Sequence, residues 1–187
     1  SIGGVGLIKD YKKMISMGLS IVGNLVLIIG KTEGHIDQSI FAREILNQKK
    51  GPPPEINLFN EKNNGLTVLK LIDEGFVKSA HDISTGGLIV AISKMCISGN
   101  KGINIKKPDS LINYFEYFFG EDQGRYLIEI EKKDFKKVKS ILEKNLVYFN
   151  EIGIIIEKNI ILKNELDVTI DELSKKNKTW LIDFMSK

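Results

Sequence analysis

Val77-Lys78-Ser79-Ala80-His81-Asp82-Ile83-Ser84-Thr85-Gly86-Gly87-Leu88 reads as a buried strand, a polar glycine turn and the start of a helix. The helix follows from spacing: Leu88, Ile92 and Met95 fall on one face, with Ile89 and Cys96 beside them. Gly99 supplies a stop. Ser84 or Thr85 is placed to cap the helix start, whose first amides have no partner within the helix. Gly86 and Gly87 let the backbone approach whatever sits in front of it. Such a start, with free N–H groups and a positive dipole end, suits a phosphate. Asp82 beside it is a candidate magnesium ligand. The competing reading is a well-capped strand-to-helix turn with no ligand, since short motifs misfire often.

Outward from this turn the chain alternates strands and helices. Asn24–Gly30 reads as a strand, its Leu25–Ile29 a continuous apolar run expected when both faces are covered. Gln38–Leu46 reads as a helix with Ile40, Phe41 and Ile45 inward. Gly51-Pro52-Pro53-Pro54 breaks the chain and extends it. Asn60–Glu74 reads as a helix capped by Asn60, with Leu66, Leu69 and Ile72 inward and Gly75 closing it. Gly102–Ile105 is a short strand; Asp109 or Ser110 starts a helix carrying Leu111, Ile112, Phe115 and Phe118. Tyr126–Ile130 is a strand, and Lys132–Lys144 an amphipathic helix with Phe135, Val138, Ile141 and Leu142 inward. Val147–Ile156 and Asn159–Leu162 read as a hairpin across Glu157-Lys158. Thr169-Ile170-Asp171-Glu172 is a capping box opening a last helix with Leu173, Trp180, Leu181 and Phe184 on one side. The expected class is mixed α/β, a central mixed sheet covered by helices. Residues 1–24 read as the tail of a preceding domain plus a linker, and 25–187 as one domain. The chain begins without methionine and looks cut from something longer.

A length of 187 residues with 42% hydrophobic and 27% charged side chains is enough for a sizeable core and ordinary for a globular chain. The net charge of +3 is small, and Lys49-Lys50, Lys106-Lys107 and Lys175-Lys176 are isolated pairs that read as solvated surface, not a nucleic-acid footprint. Arg43 and Arg125 are the only arginines in a lysine-rich chain, which hints at places where a planar fork is needed. Cys96 is the single cysteine, so no disulfide or cysteine-rich zinc site is expected, and its helix position makes it core. No apolar run approaches a membrane span and no signal peptide is seen, which fits a cytoplasmic protein.

A second polar knot is Gly120-Glu121-Asp122-Gln123-Gly124-Arg125. If its strand neighbours that of the first, Asp82, Ser84, Glu121, Gln123 and Arg125 converge: carboxylates for magnesium, Gly86 and Gly87 amides for phosphate oxygens, Arg125 as a bidentate grip. The alternative for Glu121 and Arg125 is a plain ion pair. His81 reads as a partly buried structural residue, and no hydrolytic triad is visible.

At these residues the chain resembles the C-terminal end of phosphoribosylformylglycinamidine synthase. The resemblance runs nearly end to end. It lies in Ile2-Gly3-Gly4-Val5-Gly6-Leu7, Gly34-His35-Ile36-Asp37-Gln38-Ser39 with Arg43-Glu44-Ile45, the proline segment followed by Ile56-Asn57-Leu58, His81–Leu88, and Phe119–Tyr126. Asp37 departs from the family pattern, where glycine is frequent. The resemblance implies the C-terminal domain of the aminoimidazole-ribonucleotide-synthetase superfamily, a sheet with helices on both sides. It implies part of an ATP-dependent ligase of purine biosynthesis, in which ATP activates the formyl-amide oxygen of formylglycinamide ribonucleotide and ammonia from a partner glutaminase displaces phosphate. It places the catalytic residues in upstream domains and leaves Asp82, Ser84, Gly86, Gly87, Glu121, Gln123 and Arg125 as ligands of an auxiliary ATP/ADP site, with Asp82 and Glu121 on magnesium. The competing readings are a subunit-docking module that never touches nucleotide, or another ATP-using member of the superfamily. An apolar patch exposed where upstream domains pack is also expected.

Overall fold

The computed structural model describes residues 3–8, 10–108 and 112–186. Seven strands form one sheet: β1 (Leu25–Ile29), β2 (Val77–Asp82), β3 (Gly102–Ile105), β4 (Tyr126–Ile130), β5 (Phe149–Ile156), β6 (Asn159–Leu162) and β7 (Leu166–Thr169). Their order is β2-β4-β1-β5-β3-β6-β7. Every neighbouring pair is antiparallel except β3 with β6. The helices are α1 (Ile40–Glu44), α2 (Leu58–Asp73), α3 (Gly87–Gly99), α4 (Tyr114–Phe119), α5 (Phe135–Lys144) and α6 (Ile170–Met185).

Helices cover both faces, as expected, and the centre of the sheet shows why the β1 run had to be continuous. Leu25, Leu27 and Ile29 point into a core with Val68 and Leu71 of α2 and Val138 and Leu142 of α5. Val26 and Ile28 point into the opposite core with Leu88, Ile92 and Met95 of α3 and Phe118 of α4. With period-two alternation, only a strand apolar at every position fills both.

Several expectations are corrected. β5 and β6 do not form a hairpin: β3 inserts between them, antiparallel to β5 and parallel to β6. Gly102 permits this, because a Cβ there would collide with the backbone of Asn159. β7, unrecognised in the sequence, then pairs with β6 at the sheet edge. The cap of α2 is Asn57, whose side chain accepts from Asn60 N at 3.0 Å. That helix turns Asn64, Thr67, Val68 and Leu71 inward and leaves Leu66 and Leu69 exposed. Ile45 is exposed while Phe41 and Ala42 are buried. α4 starts at Asn113, with Phe115 exposed and Phe118 buried. The proposed start at Asp109 or Ser110, and Leu111, lie outside the described residues, as does Ile2. In α6 only Ile170 is fully buried, and Trp180, Leu181 and Phe184 are exposed. The Thr169 cap does form, accepting from Glu172 N at 3.2 Å.

Residues 16–24, read as linker, pack into the body. Ser16 bridges Ser79, and Leu19 is buried in the α3 core. Glu129, wholly buried in the middle of β4, holds this segment. Its Oε1 accepts from Ser20 Oγ (2.8 Å), Ile21 N (3.1 Å) and Asn24 Nδ2 (2.7 Å), and its Oε2 from Ser20 N (2.9 Å) and Ser79 Oγ (2.9 Å).

Cys96 is core, as expected, and burial pushes its thiol up to about 12. Thiolate is therefore scarce at neutral pH. Native chain mixed with a disulfide reagent at pH 8 is expected to release no thiol signal until denaturant is added; stoichiometric labelling of the folded chain would contradict the packing.

Candidate functional site

β2 and β4 are neighbours, with Asp82 opposite Tyr126, and Ile29 of β1 lies across from the same Tyr126. The loops 30–39, 83–86 and 120–125 therefore leave one end of the sheet side by side. The two polar knots meet there: Glu121 Oε1 accepts from Gly86 N at 2.8 Å and from Ile40 N at 2.9 Å. These amides belong to the starts of α3 and α1. The anion expected at the α3 start is thus supplied by the chain itself. Ser84 and Thr85 do not cap α3 with their side chains. Gly86 takes the cap position with φ 90°, and its neighbour Gly87 (φ 69°) lies so close to the α4 exit that a Cβ would sit 2.7 Å from Gly120 O.

Asp122 fills a similar role one loop away. Its carboxylate accepts from Glu33 N (3.0 Å), Gly34 N (3.1 Å) and His35 N (2.9 Å), a row of amides of the kind that cradles anions. Behind it lies Arg125, its side chain fully buried. Nε donates to Asp122 O (3.2 Å), Nη1 to Thr32 Oγ1 (3.1 Å) and Nη2 to Gly120 O (2.7 Å), while Nη1 lies 3.3 Å from Asp122 Oδ2. Burial lowers the Arg125 pKa and Asp122 opposes that shift. The planar fork inferred from its rarity is needed, but for carbonyls, a hydroxyl and Asp122 within the chain. The sequence reading missed Asp122 and Thr32. The signal available was a second carboxylate beside Glu121, three residues before an arginine.

Of the seven candidate residues, Gly86, Gly87 and Arg125 are buried and Glu121 is partly so, whereas Asp82, Ser84 and Gln123 are exposed. Asp82 Oδ1 lies 3.2 Å from His81 Nδ1. Of the two expected magnesium ligands, Asp82 has an exposed side chain and Glu121 has its Oε1 engaged by two amides. Among the described residues no three His, Cys, Asp or Glu side chains form a metal-holding group.

A cleft of about 620 Å³ opens beside the knots. The loop after β1, the start of α2 and residues 122–124 wall it; of the seven candidates only Gln123 lines it. Glu33, Asp37, Glu55, Glu61, Glu116 and Asp122 face Lys31 and His35, with Asn57, Asn60 and Asn64 between them. Such an acid-rich wall repels a bare phosphate and suits hydroxyl, amine or cationic groups. His35 Nε2 lies 3.1 Å from Pro52 O, and Gln38 Nε2 donates to Gly51 O at 2.9 Å, so the proline segment is tied to the cleft's rim.

Residues 22–163 match the family described as AIR synthase related protein, C-terminal domain. The chain belongs to that family. Over 185 residues it is 59% identical to the phosphoribosylformylglycinamidine synthase subunit PurL of Pelagibacter ubique, covering 99% of this chain and 25% of that protein. The chain thus spans about a quarter of the length of the curated relatives it matches. Among solved structures, PurLQS from Thermotoga maritima superposes with a TM-score of 0.65 at 22% identity, over 87% of this chain and 28% of that one. Thermotoga maritima PurL complexed with ATP gives 0.66 at 19% identity, over 87% and 27%. Both share the AIR-synthase-related fold: the mixed sheet with helices on two faces. Among the described residues no helix is long and apolar enough to cross a membrane.

Proposed function

We propose that this chain is the C-terminal part of an ATP-dependent C–N ligase of purine biosynthesis, the phosphoribosylformylglycinamidine synthase reaction, and works only with upstream domains of that enzyme. The observation that carries the reading is 59% identity along 99% of the chain to a PurL subunit. In this role the chain contributes a rigid wall and not a reacting group. Glu121, Asp122 and Arg125 lock three loops to one another, so the cleft beside them is presented in one shape. Asp82, Ser84 and Gln123, exposed along the same sheet end, are the candidate residues left to touch a nucleotide; Gly86, Gly87, Glu121 and Arg125 act by holding the loops. A magnesium ion bound there would be held by the exposed Asp82 carboxylate and would neutralise phosphate charge.

The partners in this reading are the upstream domains and a glutaminase subunit, in the cytoplasm, with no nucleic acid or membrane. One apolar face is available for the first. Leu58, Phe59, Leu66 and Leu69 are exposed along α2, next to the cleft that Asn57, Asn60 and Glu61 line. The expected test is a chimera. Replacing the C-terminal quarter of the Pelagibacter ubique subunit with this chain should retain glutamine- and ATP-dependent amidine formation when its glutaminase is supplied, whereas the truncated subunit should have none. A folded chimera with no turnover would refute the reading. A docking module that never meets nucleotide has no specific observation in its favour.

A further inference from the structure

The last helix, α6, changes character along its axis. Ile170 and Leu173, in its first turn, pack into the core that α3 forms with the sheet. Ser174-Lys175-Lys176-Asn177-Lys178-Thr179 follows and is polar throughout. The last two turns hold Trp180, Leu181, Ile182, Phe184 and Met185, with Asp183 the sole polar side chain of 180–185. The five apolar side chains are between 51% (Leu181) and 74% (Met185) exposed, and among the described residues none of them joins either core. A helix that merely lies on a domain changes around its circumference, apolar below and polar above. This one changes along its length: the middle suits water, and the end suits an apolar environment on most of its sides. Such an end is shaped to enter another body.

Three observations name that body. First, the family match ends at residue 163, before α6, whereas the 59% identical relative matches 185 of the 187 residues and so retains this helix. The matched part is 25% of that relative, so most of its length lies outside the part described here. Second, residues 16–24, the path from any upstream chain into the body, run over α3: Leu19 N donates to Met95 O at 3.1 Å, and a Cβ on Gly18 would sit 2.9 Å from Gly99 N. α6 lies against α3 as well, on the face of the sheet opposite α2. Third, two helical turns are a small contact. An interface between free partners takes roughly 20–30 residues a side, which rules against a second copy or a separate subunit. A tethered partner meets no such demand, because its effective concentration is on the order of millimolar.

We propose that the last two turns of α6 are seated in an apolar hollow of the upstream part of the same polypeptide. This rests on the ligase reading only for the tether: it needs the upstream domains and not their activity. The test compares backbone hydrogen exchange over residues 180–185 in the 187-residue chain and in the Pelagibacter ubique chimera. Exchange at least tenfold slower in the chimera is expected. Trp180→Ser with Phe184→Ser should leave the melting of the 187-residue chain unchanged, since both side chains are exposed there, and should abolish the added protection in the chimera. Phe184→Leu should keep it. Equal exchange in the two forms overturns the seating. So does protection in the 187-residue chain that grows with its concentration, which would make the occupant a second copy. As a check independent of the graft, the Pelagibacter ubique subunit cut back by the segment matching residues 180–187 should melt below the intact subunit; equal melting counts against the proposal. Turnover of the chimera is read separately: an active chimera with an unprotected α6 sinks this inference alone, and a protected α6 in an inactive chimera sinks the ligase reading alone.

Discussion

Glu129→Leu is expected to lower folding stability by about 4 kcal/mol or more, read as the urea unfolding midpoint of this chain. The carboxylate is buried on β4 and accepts five hydrogen bonds from two separate stretches: Ser20, Ile21 and Asn24 of the 16–24 segment, and Ser79 of β2. Leucine fills the volume and accepts nothing. Each donor stranded away from water costs roughly 1–3 kcal/mol, and segment 16–24 escapes that cost only by peeling off. Peeling has its own signature. The slope of stability against urea falls, because the variant's folded state already exposes Leu19 and the α3 surface beneath it. Trypsin then cuts after Lys12 or Lys13 faster than in the parent. Glu129→Gln retains one acceptor oxygen and should cost about half as much. A Glu129→Leu chain as stable as the parent, with unchanged slope, would mean the 16–24 segment is not fastened by this carboxylate.

The Glu129 anchor also marks what sequence alone could convey. The β1 run was legible because burial on both faces leaves no polar position to misread. The α2 helix was legible as a helix but not in phase. It carries apolar residues on two faces, Leu66 and Leu69 on one, Val68 and Leu71 on the other. Periodicity cannot choose between two stripes; the partner decides, and here the sheet takes the one that also brings Asn64 Nδ2 to Gly124 O at 2.9 Å. The hairpin reading of β5 and β6 failed for a different reason. Local turn chemistry favours neighbours, whereas β3, far back in the chain, takes the place between them.

The knots show the same limit at the level of chemistry. Glycines, a helix start, carboxylates and an arginine are the parts of a phosphate site, and the sequence brought the right loops together: β2 and β4 are adjacent, and Glu121 reaches Gly86. What spacing does not reveal is whether amide donors await a ligand or an internal carboxylate. In this chain Glu121 and Asp122 take those donors.

Arg125→Lys should therefore behave as a core substitution and not as a ligand substitution, costing about 3–5 kcal/mol. Lysine keeps the charge but has one nitrogen. It cannot reach Asp122 O, Thr32 Oγ1 and Gly120 O together, and these acceptors surround the guanidinium on separate sides. Were Arg125 a surface grip for phosphate, the same substitution would shift stability by no more than about 0.5 kcal/mol and act on ligand affinity alone. A cycle with Asp122 separates the contributions. Arg125→Met leaves the buried Asp122 carboxylate with its three amide donors but no counter-charge, whereas adding Asp122→Asn removes that charge. The double variant should be more stable than the sum of the single losses predicts, by about 1 kcal/mol or more. Strict additivity would place the arginine's contribution in its carbonyl and hydroxyl contacts and not in the ion pair. Arg125→Lys with parental stability would return Arg125 to the role of a phosphate grip expected from the convergence of the two knots.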